Sequence, residues 1–231
     1  MIKAVIFDLD GTLLNRDASV HKFIASQYDR LNEWIGKIPK EKYISRFIEL
    51  DCRGYVWKDK VYQQMVEEFK ITEISWERLL EDYQSEFYQS CVPFTNVLST
   101  LECLRSHSIK LGMITNGKGR FQMDNIKALG IENYFDAILI SEWEGVKKPN
   151  PDIFLKALDR MNVSPLESMY VGDHPENDVI AAKNVGMAGV WKKDFQWKNV
   201  EADYIVEDLK EVLLIIQELN GTKSLGEIKW Q

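Results

Sequence analysis

From Pro93 onward the sequence alternates between short apolar runs and stretches in which apolar residues recur every three or four positions. Such alternation indicates βαβ units, whose parallel strands are joined by right-handed crossovers. Strands are predicted over Lys110 to Thr115, Ala137 to Ile140, Ser168 to Val171, Ala188 to Trp191 and Tyr204 to Val206. Helical stripes run through Val97, Leu98, Leu101 and Leu104, through Met123, Ile126 and Leu129, and through Ile153, Phe154, Ala157, Leu158 and Met161. Two more helices are predicted over Val179 to Val185 and Leu209 to Leu219. Near the start, Ala4 to Phe7 is an apolar run suited to a strand buried on both faces, and it ends abruptly at Asp8-Leu9-Asp10-Gly11-Thr12. The fold class is therefore α/β with a parallel sheet.

Between about Val20 and Phe87 the pattern is helical only. Val20, Phe23, Ile24, Tyr28, Leu31 and Ile35 keep helical spacing, as do Val61, Met65, Val66 and Phe69, then Leu79, Leu80, Tyr83 and Phe87. This aromatic-rich stretch is expected to form a compact helical insert at 16–91, with its join near Val92-Pro93, leaving 1–15 and 92–231 to build the sheet domain. At 231 residues and 45% hydrophobic, the chain can bury a sizeable core as one domain carrying an insert. The tail from Gly221 to Gln231 has no clear pattern and is expected to be loosely held.

Composition excludes several classes. A net charge of −7 offers no basic footprint for nucleic acid or an anionic membrane surface. No apolar stretch is long enough to span a bilayer, and the first residues lack the long apolar region of a signal peptide, so a cytoplasmic location is expected. Cys52, Cys91 and Cys103 are odd in number and none forms a Cys-x-x-Cys pair, which suggests reduced thiols.

Four polar clusters each follow a separate apolar run: Asp8/Asp10; Thr115-Asn116-Gly117; Lys147-Lys148-Pro149; and Gly172-Asp173 with Asn177-Asp178. Any one of them alone is explained by turn chemistry or by solvated charge. In an open parallel sheet, however, all strand C-terminal ends lie at one edge, where ligands bind, so the four clusters should meet. Asp8, Asp10, Asp173 and Asp178 would then bring up to four negative charges together against one from Lys148, and a bound phosphate would add up to two more. Repulsion between unit charges about 4 Å apart is on the order of 4 kcal/mol at an effective dielectric of 20, so a divalent cation is needed. Oxygen-only ligands beside a phosphate favour Mg2+. His21, His107 and His174 lack metal-ligand spacing.

Taken in order, these residues resemble the motifs of the haloacid dehalogenase superfamily. Asp8-Leu9-Asp10-Gly11-Thr12 resembles the first motif, Thr115 the second, Lys148 before Pro149 the third, and Gly172-Asp173-His174-Pro175-Glu176-Asn177-Asp178 the fourth. The resemblance implies a Rossmann-like core with helices on both faces and a small inserted α-helical cap. It implies Asp8 as nucleophile forming an aspartyl-phosphate, and Asp10 as the acid that protonates the leaving oxygen and later activates water. Asp8, the backbone carbonyl of Asp10, and Asp173 would hold the metal, with Asp178 ligating through water or orienting Lys148. Thr115 and the amides around Asn116, with Lys148, would bind the phosphoryl oxygens, and Thr12 would support Asp10.

The resulting expectation is a phosphatase of a small phosphorylated metabolite, monomeric or homodimeric. Arg53, Trp57 and Lys58 form a basic and aromatic cluster in the insert that could meet a leaving group, although solvated helix faces often look the same. Three other readings compete. A phosphosugar mutase shares Asp8 and Asp10. A haloacid dehalogenase generally lacks an acid at the position of Asp10. A non-catalytic binding protein on the same scaffold normally lacks a catalytic residue.

Overall fold

The computed structural model describes residues 1–221. From residue 222 on, the segment expected to be loosely held lies outside the described residues. The chain divides into two units, one made of Met1–Leu14 with the chain from Pro93, the other of Asn15–Val92.

The first unit is organised by strands β1 (Ala4–Phe7), β2 (Lys110–Thr115), β3 (Ala137–Ile140), β4 (Ser168–Gly172), β5 (Ala188–Lys192) and β6 (Tyr204–Val206). They form one sheet in the order β3-β2-β1-β4-β5-β6, with every pairing parallel. This is the α/β class the sequence pattern called for. The chain first builds outward from β1 through β2 to β3, then returns to the other side of β1 to lay down β4, β5 and β6. The direction reverses between β1 and β4, and the crevice outside the C-terminal ends of that pair is where such sheets bind ligands.

Every residue of β1 is fully buried, as expected for a central strand covered on both faces. Ala4 and Ile6 pack with Ile114, Leu139 and Tyr170 under Ile153, Phe154, Ala157, Leu158 and Met161 of the helix Pro151–Met161. Asn150 starts that helix, its Oδ1 accepting from the Asp152 amide at 2.9 Å, with Pro151 in the first turn where its missing N–H costs nothing.

Two predicted helices differ in detail. The C-terminal helix spans Glu211–Asn220 and not Leu209 onward, because Asp208 and Glu211 cap it: the Asp208 amide donates to Glu211 Oε1 and the Lys210 amide to Asp208 Oδ1, both at 2.9 Å. The stretch predicted as one helix from Val179 begins instead as a π-helical turn over Pro175–Ile180, followed by Ala181–Asn184. His174 opens this turn, its carbonyl accepting from both the Asp178 and Val179 amides.

The second unit holds helices Arg16–Arg30, Asn32–Ile35, Lys40–Asp51, Lys58–Phe69 and Trp76–Glu86. Its core is aromatic: Phe23 meets Tyr83 edge-on at 5.1 Å, and Phe47 lies 5.2 Å from Tyr62. Buried Gln27 satisfies the polar tips. Its Oε1 accepts from the Tyr62 and Tyr43 hydroxyls at 2.9 and 3.3 Å, while its Nε2 donates to the Leu79 carbonyl and to Asp82. Among the described residues, no helix is long and apolar enough to cross a membrane.

Candidate active site

Asp8 leaves the end of β1 with its amide still bonded to the Val171 carbonyl of β4 at 2.9 Å, so the sheet ladder fixes its backbone. The chain then folds back, the Leu13 and Leu14 amides donating to the Leu9 carbonyl at 2.9 and 2.8 Å. Gly11, at φ +84°, takes a left-handed conformation in this turn, and a Cβ there would collide with the Asp173 carboxylate. The glycine lets the turn after β1 close on the residue that follows β4.

Lys148 is the centre of the buried site. Only 4% of it is exposed, and its Nζ lies 2.6 Å from Asp8 Oδ1, 2.6 Å from Asp178 Oδ1 and 3.0 Å from the Tyr170 hydroxyl. The neighbouring Lys147 is exposed. Asn116 holds the Lys148 backbone in a reciprocal pair, its Nδ2 donating to the Lys148 carbonyl at 3.0 Å and its Oδ1 accepting from the Lys148 amide at 2.9 Å. The loop after β2 and the loop after β3 are thus tied at the residue that bears the ammonium group.

Asp178 is equally enclosed. Its Oδ2 accepts from the His174 amide at 3.0 Å, and the bare Gly172 leaves room for its carboxylate. His174 Nδ1 accepts from the Glu176 and Asn177 amides, both at 3.2 Å, and caps the π-helical turn that carries Asp178. The Asp173 carbonyl is held by Trp191 Nε1 at 2.8 Å.

One ligand atom from each of Asp8, Asp173 and Asp178 can be chosen so that all lie within 4.8 Å of one another. Burial pushes the Asp8 carboxyl from 3.8 up to about 7; Asp178 and Asp10 push the same way, and only Lys148 pulls down. Asp173 is also raised, by burial first and then by Asp8 and Asp178. Burial opposes the charge on Lys148, but Asp178 and Asp8 outweigh it and hold the ammonium above its usual range. Three carboxylates against one ammonium leave the site short of positive charge, and an all-oxygen donor set fits a hard divalent cation.

The other predicted residues fall as follows. Asp10 is half-buried, and its Oδ2 accepts from Gln122 Nε2 at 2.7 Å. Thr115, at the end of β2 and 1% exposed, accepts from the same nitrogen at 2.7 Å. Thr12, expected to support Asp10, lies instead with its hydroxyl 3.5 Å from Asp8 Oδ2, because the turn after Asp8 brings it back over that residue. In the helical unit Arg53 pairs with Asp17 and Lys58 with buried Asp51, so those two cations are engaged locally, while Trp57 is 77% exposed.

Two residues of the site were missed in the sequence. Tyr170 bridges Lys148, Asp178 and the Ile114 carbonyl; a tyrosine within a strand buried on both faces was the available signal. Gln122 sits four residues before Ile126 and seven before Leu129, on the apolar face of its helix, where a polar side chain needs a partner.

A doubly wound sheet with carboxylates converging at its switch point defines a class of α/β enzyme, and the comparisons agree. The sequence profile of haloacid dehalogenase-like hydrolases matches residues 5–192, and the chain belongs to that family. It is 28% identical over 246 residues to the glyceraldehyde 3-phosphate phosphatase of Methanopyrus kandleri, covering 95% of this chain and 99% of that protein. A protein of the same name from Pyrococcus furiosus is 39% identical over 130 residues, and there the match spans about half of each protein: 53% of this chain and 54% of that one. Among solved structures, a haloacid dehalogenase-family phosphatase from Thermococcus onnurineus is 31% identical with a TM-score of 0.66, covering 93% of this chain and 98% of that one.

Proposed function

We propose that the protein is a magnesium-dependent phosphatase that hydrolyses a small phosphate monoester through a phosphoryl group carried on Asp8. The carrying observation is the enclosure of Asp8, whose Oδ1 is bonded to Lys148 while the carboxylates of Asp173 and Asp178 stand within 4.8 Å. That arrangement orients a nucleophile beside a cation site.

In the first half-reaction an oxygen of Asp8 forms a bond to phosphorus as the bond from phosphorus to the leaving oxygen breaks, and Asp10 gives that oxygen its proton. In the second, Asp10 takes a proton from water, the water oxygen bonds to phosphorus, and the bond to Asp8 breaks to release inorganic phosphate. Lys148 holds Asp8 in line and neutralises charge, and Thr115 with the amides around Asn116 cradles the phosphoryl oxygens. Magnesium bound by Asp8, Asp173 and the Asp10 carbonyl, with Asp178 beside it, would supply the positive charge the site lacks. The helical unit is proposed as the cap that selects substrate.

The names of the relatives make glyceraldehyde 3-phosphate the first compound to try, and the acid at Asp10 disfavours a dehalogenase. The test is phosphate release from a panel of phosphorylated metabolites with magnesium, beside chelated enzyme and Asp8→Asn. Release lost in both controls is expected. Activity retained in Asp8→Asn would remove Asp8 from the mechanism, and isomerisation of a sugar phosphate without release would replace hydrolysis by phosphoryl transfer.

A further inference from the structure

Gln122 is 3% exposed, and its side-chain nitrogen is turned toward residues of the proposed chemistry, with the Asn116 carbonyl a further and longer contact at 3.5 Å. Nε2 lies 2.7 Å from Asp10 Oδ2, a residue 112 positions away in the chain, and 2.7 Å from Thr115 Oγ1. An amide nitrogen carries two hydrogens, so both bonds form at once. The sense of the amide is set from behind, where Asn125 Nδ2 donates to Gln122 Oε1 at 3.4 Å. Gly117 makes room for the arrangement, since a Cβ there would stand 2.8 Å from Gln122 Cγ.

We propose that Gln122 is a positioning residue that presets Asp10 for proton delivery and Thr115 for phosphoryl binding. The inference rests on the phosphomonoesterase reading. Two consequences follow from donor and acceptor roles. Asp10 Oδ2 is occupied by a donor, which fixes the carboxyl plane and leaves Oδ1 as the oxygen through which Asp10 would exchange a proton with the leaving group. Thr115 Oγ1 accepts from Gln122, so its own hydroxyl hydrogen is directed away from the amide and is available to a phosphoryl oxygen. Among the described residues, Gln122 is the side chain that donates to the Asp10 carboxylate and so distinguishes its two oxygens.

Leaving-group dependence tests this. An alkyl phosphate expels an alkoxide and depends on the proton from Asp10, whereas p-nitrophenyl phosphate expels an anion that is stable at neutral pH. General acid catalysis typically contributes about 10²-fold or more, so Gln122→Met should lower kcat/KM for the alkyl ester on the order of 10²-fold and for the nitrophenyl ester less than about 5-fold. In an Asp10→Asn background, where no proton is left to position, the same substitution should change the ratio of the two substrates by less than about 2-fold. Should Gln122→Met not fold, Gln122→Asn keeps an amide but withdraws it by one methylene, and the same ordering of substrates is expected with a smaller drop. Equal losses on both esters, or an undiminished substrate ratio change in the Asp10→Asn background, would overturn the positioning of Asp10, since a loss through Thr115 alone falls on both esters alike. If the wild-type enzyme releases phosphate from neither ester nor from any member of the metabolite panel, the phosphatase reading itself falls, and the inference with it.

Discussion

With the metal stripped, lowering the pH from about 8.5 to about 5.5 should make this protein more stable, the reverse of ordinary acid behaviour. The group responsible is Asp8, whose folded pKa is pushed to about 7 from an unfolded value of 3.8. Between those two values the folded state binds a proton that the unfolded state does not, so stability falls as pH rises through the window and is recovered as pH falls. At about pH 5.5 the folded carboxyl favours its proton by about 30-fold while the unfolded one is ionised, worth ~2 kcal/mol relative to about pH 8.5. Asp173, also raised, adds in the same direction.

One nearby group acts oppositely. His174 is lowered from 6.5 by burial, so its neutral form is favoured in the folded state and its contribution is lost as pH falls through the unfolded value. The exposed carboxylates of Glu68 and Glu73, held down to about 2 by Arg46 and Lys37, lose their contributions only on further acidification. Asp8→Asn keeps these other groups and deletes the Asp8 titration. Urea unfolding in excess chelator at about pH 8.5 and 5.5, for wild type and Asp8→Asn, should therefore show a difference of differences of ~2 kcal/mol. Saturating magnesium should stabilise the wild type more at the higher pH, because it binds the ionised carboxylates. Parallel pH dependences in the two proteins would refute the reasoning, since Asp8 would then titrate alike folded and unfolded.

Gly11→Ala forces a side chain onto the Asp173 carboxylate at φ +84°, and isothermal titration with magnesium should show affinity reduced about 10-fold or more, with a stability cost of ~1 kcal/mol or above. Asn116→Ala releases both bonds to the Lys148 backbone; steady-state kinetics should show kcat/KM down about 10- to 100-fold. In the helical unit, Gln27→Leu leaves the Tyr43 and Tyr62 hydroxyls without their common acceptor, and urea unfolding should show a loss of ~2–4 kcal/mol.

The sheet was legible because its inner strands β1, β2, β4 and β5 are buried over nearly their whole length and so read as plain apolar runs, separated by helices with clear stripes. β4 and β5 run only one residue past their predicted ends. What was not legible is local hydrogen bonding that competes with periodicity. The stretch from Val179 has the right spacing for a helix, yet the chain enters it through a π-helical turn capped by His174, and no apolar pattern encodes a ring nitrogen accepting two amides. The C-terminal helix starts late for a similar reason, its first turn being set by Asp208 and Glu211 and not by the apolar stripe.

The candidate site divides along the same line. Residues whose charge must converge were readable, because topology places strand ends together whatever the side chains do: Asp8, Lys148, Asp173 and Asp178 are all found at the switch point. Residues that orient those charges were not, since a neutral amide or phenol carries no signature until its neighbours are known. Thr12 shows the limit, its hydroxyl bonding to Asp8 Oδ2 where the chain folds back onto the Leu9 carbonyl. Asp10 takes its partner from another element, Gln122 on the buried face of the helix after β2. A carboxylate there would repel Asp10, and a lysine would add a full charge. A glutamine donates without adding charge, so it orients the Asp10 carboxyl without bringing another ion beside Asp8.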